Sequence, residues 1–410
     1  MNPLYKREKY LKKIRNFYDE TEIIKVITGV RRCGKSSLMS MVKDELLEKG
    51  VNEDSIIYFD LDSRKYRKIK TDDQLDELIA EKSTTEGLKY LFIDEVQNVK
   101  DFEEVVNAYR DDGNYSIFIT GSNSYMLSGE LSTKLTGRYI EFEMFTLSFD
   151  EYEEMKHFYN KPIDSNIMIE LNNYLVEGGF PLAVKFDNLS DKRTYVRSVV
   201  NEILEKDIKM RIKIRNRANF EAVQNYIINN FGATVSIKNI KSELKKNGTV
   251  IKEETISRYI TALVDAKILY QCNRFDMKSK KSLKGEKKYY LSDLSFYFSL
   301  NTDNRINYGP TLENIVYIYA RSLNYSVSIG RIGTLECDFI IRDDELNYAY
   351  VQVAYTINES EETENREYKP FESIPDNYPK YLLTTDYLLQ KRNGVKHENI
   401  IDFIRTKSLF

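Results

Sequence analysis

Apolar residues in the first 145 positions come in short, mainly apolar runs, set apart by longer stretches of mixed character. Five runs are β-branched or aromatic and of strand length: 22–28 (EIIKVIT), 55–60 (SIIYFD), 90–95 (YLFIDE), 115–124 (YSIFITGSNS) and 139–144 (YIEFEM). Such runs read as buried strands. Between the first two, Leu38, Met39, Val42, Leu46 and Leu47 recur at helical spacing over 36–47. The pattern then changes. Residues 191–217 read as a basic helix, and 220–232, 236–248 and 252–269 as three more. Ser236 opens the second of these, and Ile256, Tyr259, Ile260 and Leu263 share one face of the third. Residues 270–293 alternate like a hairpin around a basic tip. From about Thr311 the chain reads as α/β: a helix bearing Glu313, a strand 335–342 bearing Asp338, and a strand 347–357 bearing Gln352. The acidic stretch 358–370 reads as a solvated loop or helix face.

The junction of the first strand and helix carries chemistry. Gly29-Val30-Arg31-Arg32-Cys33-Gly34-Lys35-Ser36, followed by Ser37, fits G-x-x-x-x-G-K-[ST]. A phosphate cradle needs backbone N–H groups turned inward, and glycine permits those dihedrals without a Cβ clash. The helix N-terminus adds partial positive charge. Lys35 is expected to reach the outer phosphates of ATP, and the Ser36 hydroxyl to ligate Mg²⁺.

The second half of such a site is an acid at the end of another strand. Asp94 closes the run YLFID and would emerge at the carboxyl end of the sheet, where α/β folds bind ligands. Asp94 is expected to hold the Mg²⁺ through water, and Glu95 to polarise the attacking water. The run 55–60 lies between the phosphate-loop strand and this acidic strand. That order belongs to the additional-strand class of P-loop ATPases, which includes AAA+ proteins.

Composition narrows the setting. The 410 residues are 41% hydrophobic and 30% charged with a net charge of −3, as in soluble globular chains of two or three domains. So small a net charge leaves any nucleic-acid surface to a local patch. Cys33, Cys272 and Cys337 are odd in number and far apart, which argues against a disulfide framework and for a reducing compartment. His157 and His397 are the only histidines, which argues against a His-based triad or metal cluster. No apolar run approaches spanning length and the N-terminus lacks a signal-peptide core, so a cytoplasmic protein without a membrane partner is expected.

The ordered set GVRRCGKSS, LFIDEVQ, ITGSNSYML, LTGRYIEF, LSFDEY and VEGGFPLAV resembles a large family of bacterial and archaeal AAA+-like ATPases. The resemblance covers nearly the whole chain. It implies an AAA+-type P-loop core, with a parallel sheet of order 5-1-4-3-2, and its lid over 1–185. A helical linker and winged helix-turn-helix would follow over 186–300, and a small α/β domain of restriction-endonuclease-like fold over 301–410. It also implies a polar sensor near the γ-phosphate, for which Asn123 and Ser122 are candidates. Arg138 becomes a candidate finger reaching a phosphate in its own site or in a neighbour's within a homo-oligomer. Pro181, in Gly179-Phe180-Pro181, matches a lid Gly-x-Pro that touches the adenine; a turn packing two helices is the competing reading.

Three helices and a hairpin match the winged-helix plan, in which the third helix enters a major groove and the hairpin tip touches phosphate. Thr255, Ser257, Arg258 and Thr261 would face double-stranded DNA, with Lys278, Lys280, Lys281, Lys284, Lys287 and Lys288 at the tip. In the C-terminal domain Glu313, Asp338 and Gln352 follow the order of nuclease carboxylates, leaving a residual metal site at Glu313 and Asp338 to be examined. The nuclease pattern (E/Q)-x-K reads Gln352-Val353-Ala354 here, so its lysine is missing and nuclease activity is not expected. The sequence thus points to a Mg²⁺-dependent ATPase that couples nucleotide state to the other modules. The alternative is a nucleotide-gated DNA- or protein-binding switch with little hydrolysis.

Overall fold

A computed structural model describes residues 3–121, 135–209, 212–279, 281–282, 287–301 and 305–406. The chain divides into two compact units, one of residues 1–145 with 202–211 and 265–267, the other of 146–201, 212–264 and 268–410.

The first unit is built on five parallel strands, β1 (Ile24–Gly29), β2 (Ile56–Asp60), β3 (Lys89–Asp94), β4 (Tyr115–Thr120) and β5 (Tyr139–Met144). Their spatial order is β2-β3-β4-β1-β5, the expected one read from its other edge. β1, β3 and β4 are buried along their whole length, as central parallel strands covered on both faces must be. The helices α1 (Glu8–Ile14), α2 (Lys35–Glu48), α3 (Asp72–Lys82) and α4 (Phe102–Asp111) belong to the same unit. Leu75 and Ile79 of α3 and Phe102 and Val106 of α4 pack with Leu91, Ile93, Ile117 and Ile119 in one apolar core. Phe92 and Phe118 stack with centroids 4.7 Å apart. Lys25 of β1 is fully buried, with Nζ donating to Ser116 Oγ at 2.8 Å and lying 4.6 Å above the Phe118 ring. Burial lowers its pKa to about 7, against the attraction of Glu20 and Asp19.

The basic stretch 191–217 is not one helix. An α-helix, Leu189–Glu202, gives way to a π-helical turn, Ile203–Ile208, and a new helix begins at Arg217 under an Asn216 cap. Ile203, Leu204, Asp207 and Ile208 of that turn are buried.

In the second unit a capping box of Ser148 and Glu151 opens the helix Phe149–Phe158. The helix Ile167–Glu177 ends at Gly178 and Gly179, where a Cβ on Gly179 would lie 2.3 Å from the Leu147 carbonyl oxygen. Helices Arg217–Asn229, Ile237–Lys246 and Glu253–Asp265 follow, with Ser236 capping the second and Ile256, Tyr259, Ile260 and Leu263 buried on the third. The alternating stretch that follows is used twice. β7 (Leu269–Cys272) pairs antiparallel with β10 (Lys287–Leu291), and β6 (Thr234–Val235) closes a three-stranded sheet beside them. β8 (Arg274–Asp276) and β9 (Lys281–Ser282) instead extend an eight-stranded sheet. Its other members are β11 (Ser326–Ile332), β12 (Leu335–Arg342), β13 (Tyr348–Val353), β14 (Lys380–Thr384), β15 (Lys391–Arg392) and β16 (Val395–Asn399). The acidic stretch forms the helix Glu361–Glu372, capped by Ser360 and burying Tyr368 and Phe371. No helix among the described residues is long and apolar enough to cross a membrane.

Candidate functional site

The loop between β1 and α2 turns where glycine allows it. Gly29 has φ 143°, and a Cβ there would lie 2.3 Å from the Met144 carbonyl oxygen and 2.7 Å from Cys33 Sγ. Gly34 caps α2 with φ 111°, and Arg32 takes φ 70° between them, a region few non-glycine residues adopt. Lys35 is buried, and its Nζ donates to the loop's own carbonyls, Gly29 O at 3.0 Å and Val30 O at 3.4 Å. Among the described residues Lys35 forms no ion pair. Ser36 is exposed and Ser37 half-buried on the first turn of α2, whose leading N–H groups have no carbonyl four residues back. The loop is pinned from behind by Arg7, itself buried, which donates to Cys33 O at 3.1 Å and Phe145 O at 2.7 Å. Burial pushes the Cys33 thiol pKa up, so this cysteine is a packing residue rather than a nucleophile.

β3 delivers Asp94 beside this loop. Burial raises the Asp94 pKa, against hydrogen bonds from Ser36 and Thr120 that favour the carboxylate. Ser36 lies close enough to Asp94 to favour its charged form, and a hydroxyl beside a carboxylate is the kind of hard-oxygen donor set that suits Mg²⁺. A buried carboxylate with a raised pKa is also a group that a divalent cation would return to its charged form. Glu95 follows at φ 57°, ψ 46°, a left-handed conformation that is strained by about 1–3 kcal/mol for a side chain of this kind. Its N–H donates to Thr120 Oγ1 at 3.0 Å, and its carboxylate accepts from Gln97 Nε2.

Thr120 and Gln97 also belong to the site, although the sequence assigns neither a role. Thr120 is the last residue of a buried strand, and its hydroxyl bridges Asp94 and the Glu95 amide. Its place as the polar end of an apolar run was the available signal. Asn123 and Ser122 lie outside the described residues.

The other expected residues do not all converge. Arg138 is exposed, and its carbonyl accepts from Ile24 N, so it lies at the N-terminal edge of the sheet. The phosphate loop leaves the opposite edge, five strand residues away, roughly 16 Å. Arg138 therefore cannot serve its own loop, and a phosphate role for it requires a second copy of the chain. Pro181 belongs to the second unit and follows the closely packed Gly178 and Gly179.

The basic tip divides. Lys278 and Lys281 are exposed, and Lys280 and Lys284 lie outside the described residues. Lys287 donates to Gln271 Oε1 at 2.8 Å. Lys288 does not face solvent. It is buried, with Nζ 3.0 Å from both Glu313 Oε2 and Glu336 Oε1. Tyr290 also donates to Glu313, at 2.9 Å. Asp338 accepts from Val353 N at 2.9 Å, and Gln352 joins its backbone to Glu367. Burial and the neighbouring Glu313 hold the Asp338 pKa well above the usual carboxylate range. Burial pulls Lys288 down, but Glu313, Asp338 and Glu336 outweigh it and hold its pKa above that of a free lysine. The cation facing Glu313 and Asp338 is thus an internal ammonium, so the pair as it stands does not fit a metal site. Among the described residues no group of three or more His, Cys, Asp or Glu side chains is arranged to hold a metal ion.

Comparison with known proteins gives this geometry a context. A family model described as an AAA domain matches residues 21–153, and a second, described as a domain of unknown function (DUF8612), matches 168–305. An uncharacterized protein of Haemophilus influenzae is 35% identical over 403 residues, 97% of this chain and 98% of its own. A protein of Methanocaldococcus jannaschii, also uncharacterized, is 31% identical over 358 residues, 85% of this chain and 78% of its own. Among solved structures, a Walker-type ATPase of Pyrococcus abyssi superposes with a TM-score of 0.51 at 16% identity, over 72% of this chain and 96% of its own, a likeness of fold. With identity sustained over nearly the full length of both chains, this protein belongs to the family of the Haemophilus influenzae protein, and its N-terminal part is an AAA+-like P-loop domain.

Proposed function

We propose that the chain is a Mg²⁺-dependent ATPase. The observation that carries this is Lys35, a buried ammonium bonded to two neutral carbonyls inside a glycine-turned loop, one strand from Asp94 and Glu95. A cation so placed keeps its charge for an anion. Ser36 and Asp94 would hold Mg²⁺, which neutralises charge on the phosphates when bound. Lys35 and the first-turn amides of α2 bind and orient the phosphates, and Gly29 to Ser37 form the wall. Glu95, held by Thr120 and Gln97, orients a water and accepts its proton. Positioning and charge neutralisation supply most of the catalysis in such sites. Turnover that depends on Mg²⁺ and disappears in Glu95→Gln, while ATP binding persists, tests the assignment.

A second reading, a nucleotide-gated switch with little hydrolysis, draws support from the Gln97–Glu95 hydrogen bond, which occupies the carboxylate a water would use. Fast turnover without any partner would dismiss it. For the rest of the chain we read 1–185 as core and lid, 186–300 as a winged-helix module and 301–410 as a nuclease-like fold without nuclease activity. Exposed Ser257, Arg258 and Thr261 on the helix Glu253–Asp265 support contact with duplex DNA through phosphates. Stimulation of turnover by duplex DNA that fades steeply with salt is the expected signature.

A further inference from the structure

The two arginines of the phosphate loop are held by acids from far along the chain. Arg31 grips Asp207 with both arms of its fork, Nε to Oδ2 at 2.9 Å and Nη2 to Oδ1 at 3.0 Å. Its Nη1 lies 3.7 Å from Glu202. Arg32 grips Glu202 in the same way, at 3.1 and 3.2 Å. Lys206 adds contacts to Glu202 at 3.3 Å and Asp62 at 3.4 Å. Glu202 and Asp207 flank and occupy the π-helical turn Ile203–Ile208. That stretch belongs to the compact unit of the phosphate loop, although the chain before 202 and after 211 belongs to the other.

The two grips differ in quality. The side chains of Arg31 and Asp207 are only 11% and 5% exposed, whereas Arg32 is 53% exposed. A buried, bidentate arginine–carboxylate pair fixes geometry; an exposed one contributes little. The cluster as a whole sets Arg31, Arg32 and Lys206 against Asp62, Glu202 and Asp207. These charges match one for one, and Glu95 adds a further negative charge acting on Arg31. A polyphosphate on the same loop adds several negative charges next to donors already committed to carboxylates, and it repels those carboxylates.

We infer that Asp207 and Glu202 are positioning residues for Arg31 and Arg32, and that a nucleoside triphosphate competes with them for the two guanidinium groups. Filling the loop loosens the grip on the π-helical turn, and the grip lowers triphosphate affinity by the same factor, because linkage is reciprocal. The device gives the phosphate site a mechanical output at residues 203–208. It rests on the nucleotide reading of the loop.

The test uses the full-length protein with Mg·ATPγS, measuring equilibrium affinity and amide hydrogen exchange of peptides covering 203–209. In the wild type, nucleotide should speed exchange there. Asp207→Asn should exchange fast without nucleotide, respond no further, and bind Mg·ATPγS about tenfold more tightly. Asp207→Glu should return towards wild-type affinity. Glu202→Gln, which loosens only the exposed grip and keeps the buried one, should bind about threefold more tightly. Wild-type or weaker affinity in both neutralised variants, or exchange at 203–209 that nucleotide leaves unchanged or slows, overturns the inference. If the wild type fails to bind Mg·ATPγS, or Lys35→Ala binds it equally well, the nucleotide reading itself falls and the inference with it.

Discussion

Lys35 in the first unit and Lys288 in the second are both buried lysines, 6% and 5% exposed. Lys35 bonds to carbonyls of its own loop, while Lys288 lies 3.0 Å from each of two carboxylates with a third in electrostatic reach. Neutral acceptors leave an ammonium's charge available to an incoming anion; carboxylates consume it. On the proposed function, the difference separates a lysine that binds from one that holds a domain together. It also shows why an inventory of acids and lysines is a poor guide to activity, since the C-terminal cluster has as many lysines and more acids.

The largest effect that sharpens this contrast lies at Glu95. Glu95→Gln should lower turnover by about 10²–10⁴-fold, as loss of a general base does, and leave ATP affinity and thermal stability in place. Steady-state turnover beside equilibrium binding checks it. In the second unit the effect should be on stability alone. Lys288→Met leaves Glu313 and buried Asp338 without their cation, Glu336 keeping Arg274, and should lower unfolding free energy by about 3–5 kcal/mol, with ATP affinity unchanged. That deficit should shrink at pH 5 relative to pH 8, because protonated carboxylates no longer need the ammonium. Denaturant melts at the two pH values measure it. If Lys288→Met instead weakened ATP binding and spared stability, the contrast between the two lysines would be wrong.

Much of the first unit is legible in the sequence because each feature is local. Central parallel strands are covered on both faces, so short, mainly apolar runs announce the sheet, and the left-handed turns at Gly29 and Gly34 need glycine. What was not legible depends on residues brought together from afar. Lys288 reads as one of a row of tip lysines, and only the pairing of β7 with β10 turns it inward towards Glu313. Asp207 sits in a stretch that reads as an ordinary basic helix, and its grip on Arg31 spans 176 positions. Arg138 follows a suggestive Thr-Gly pair, yet the parallel register of β5 with β1 puts it at the far edge. Thr120 looks in the sequence like the tail of an apolar run, and that position at the strand end is what lets it reach Asp94.

A smaller effect concerns another buried lysine. Lys25 has a folded-state pKa of about 7, below that of an exposed lysine. Between pH 7 and about 10.5 the unfolded chain therefore binds more protons than the folded one, and stability should rise with pH across that window. The slope at most approaches about 1.4 kcal/mol per pH unit. Lys25→Met should flatten it, as denaturant melts from pH 7 to 9.5 would show. An unchanged slope would mean that Lys25 keeps its proton through its contacts with Ser116 and Phe118.

The most direct measurement is the affinity of Mg·ATPγS for the wild type and for Lys35→Ala, by isothermal titration in one buffer, with melting curves for both. Saturable binding to the wild type, weakened about 100-fold or more in Lys35→Ala with little change in melting, is the expected result. Equal affinity in the two proteins, or loss of binding only alongside loss of the fold, would contradict the claim that this ammonium holds the phosphates.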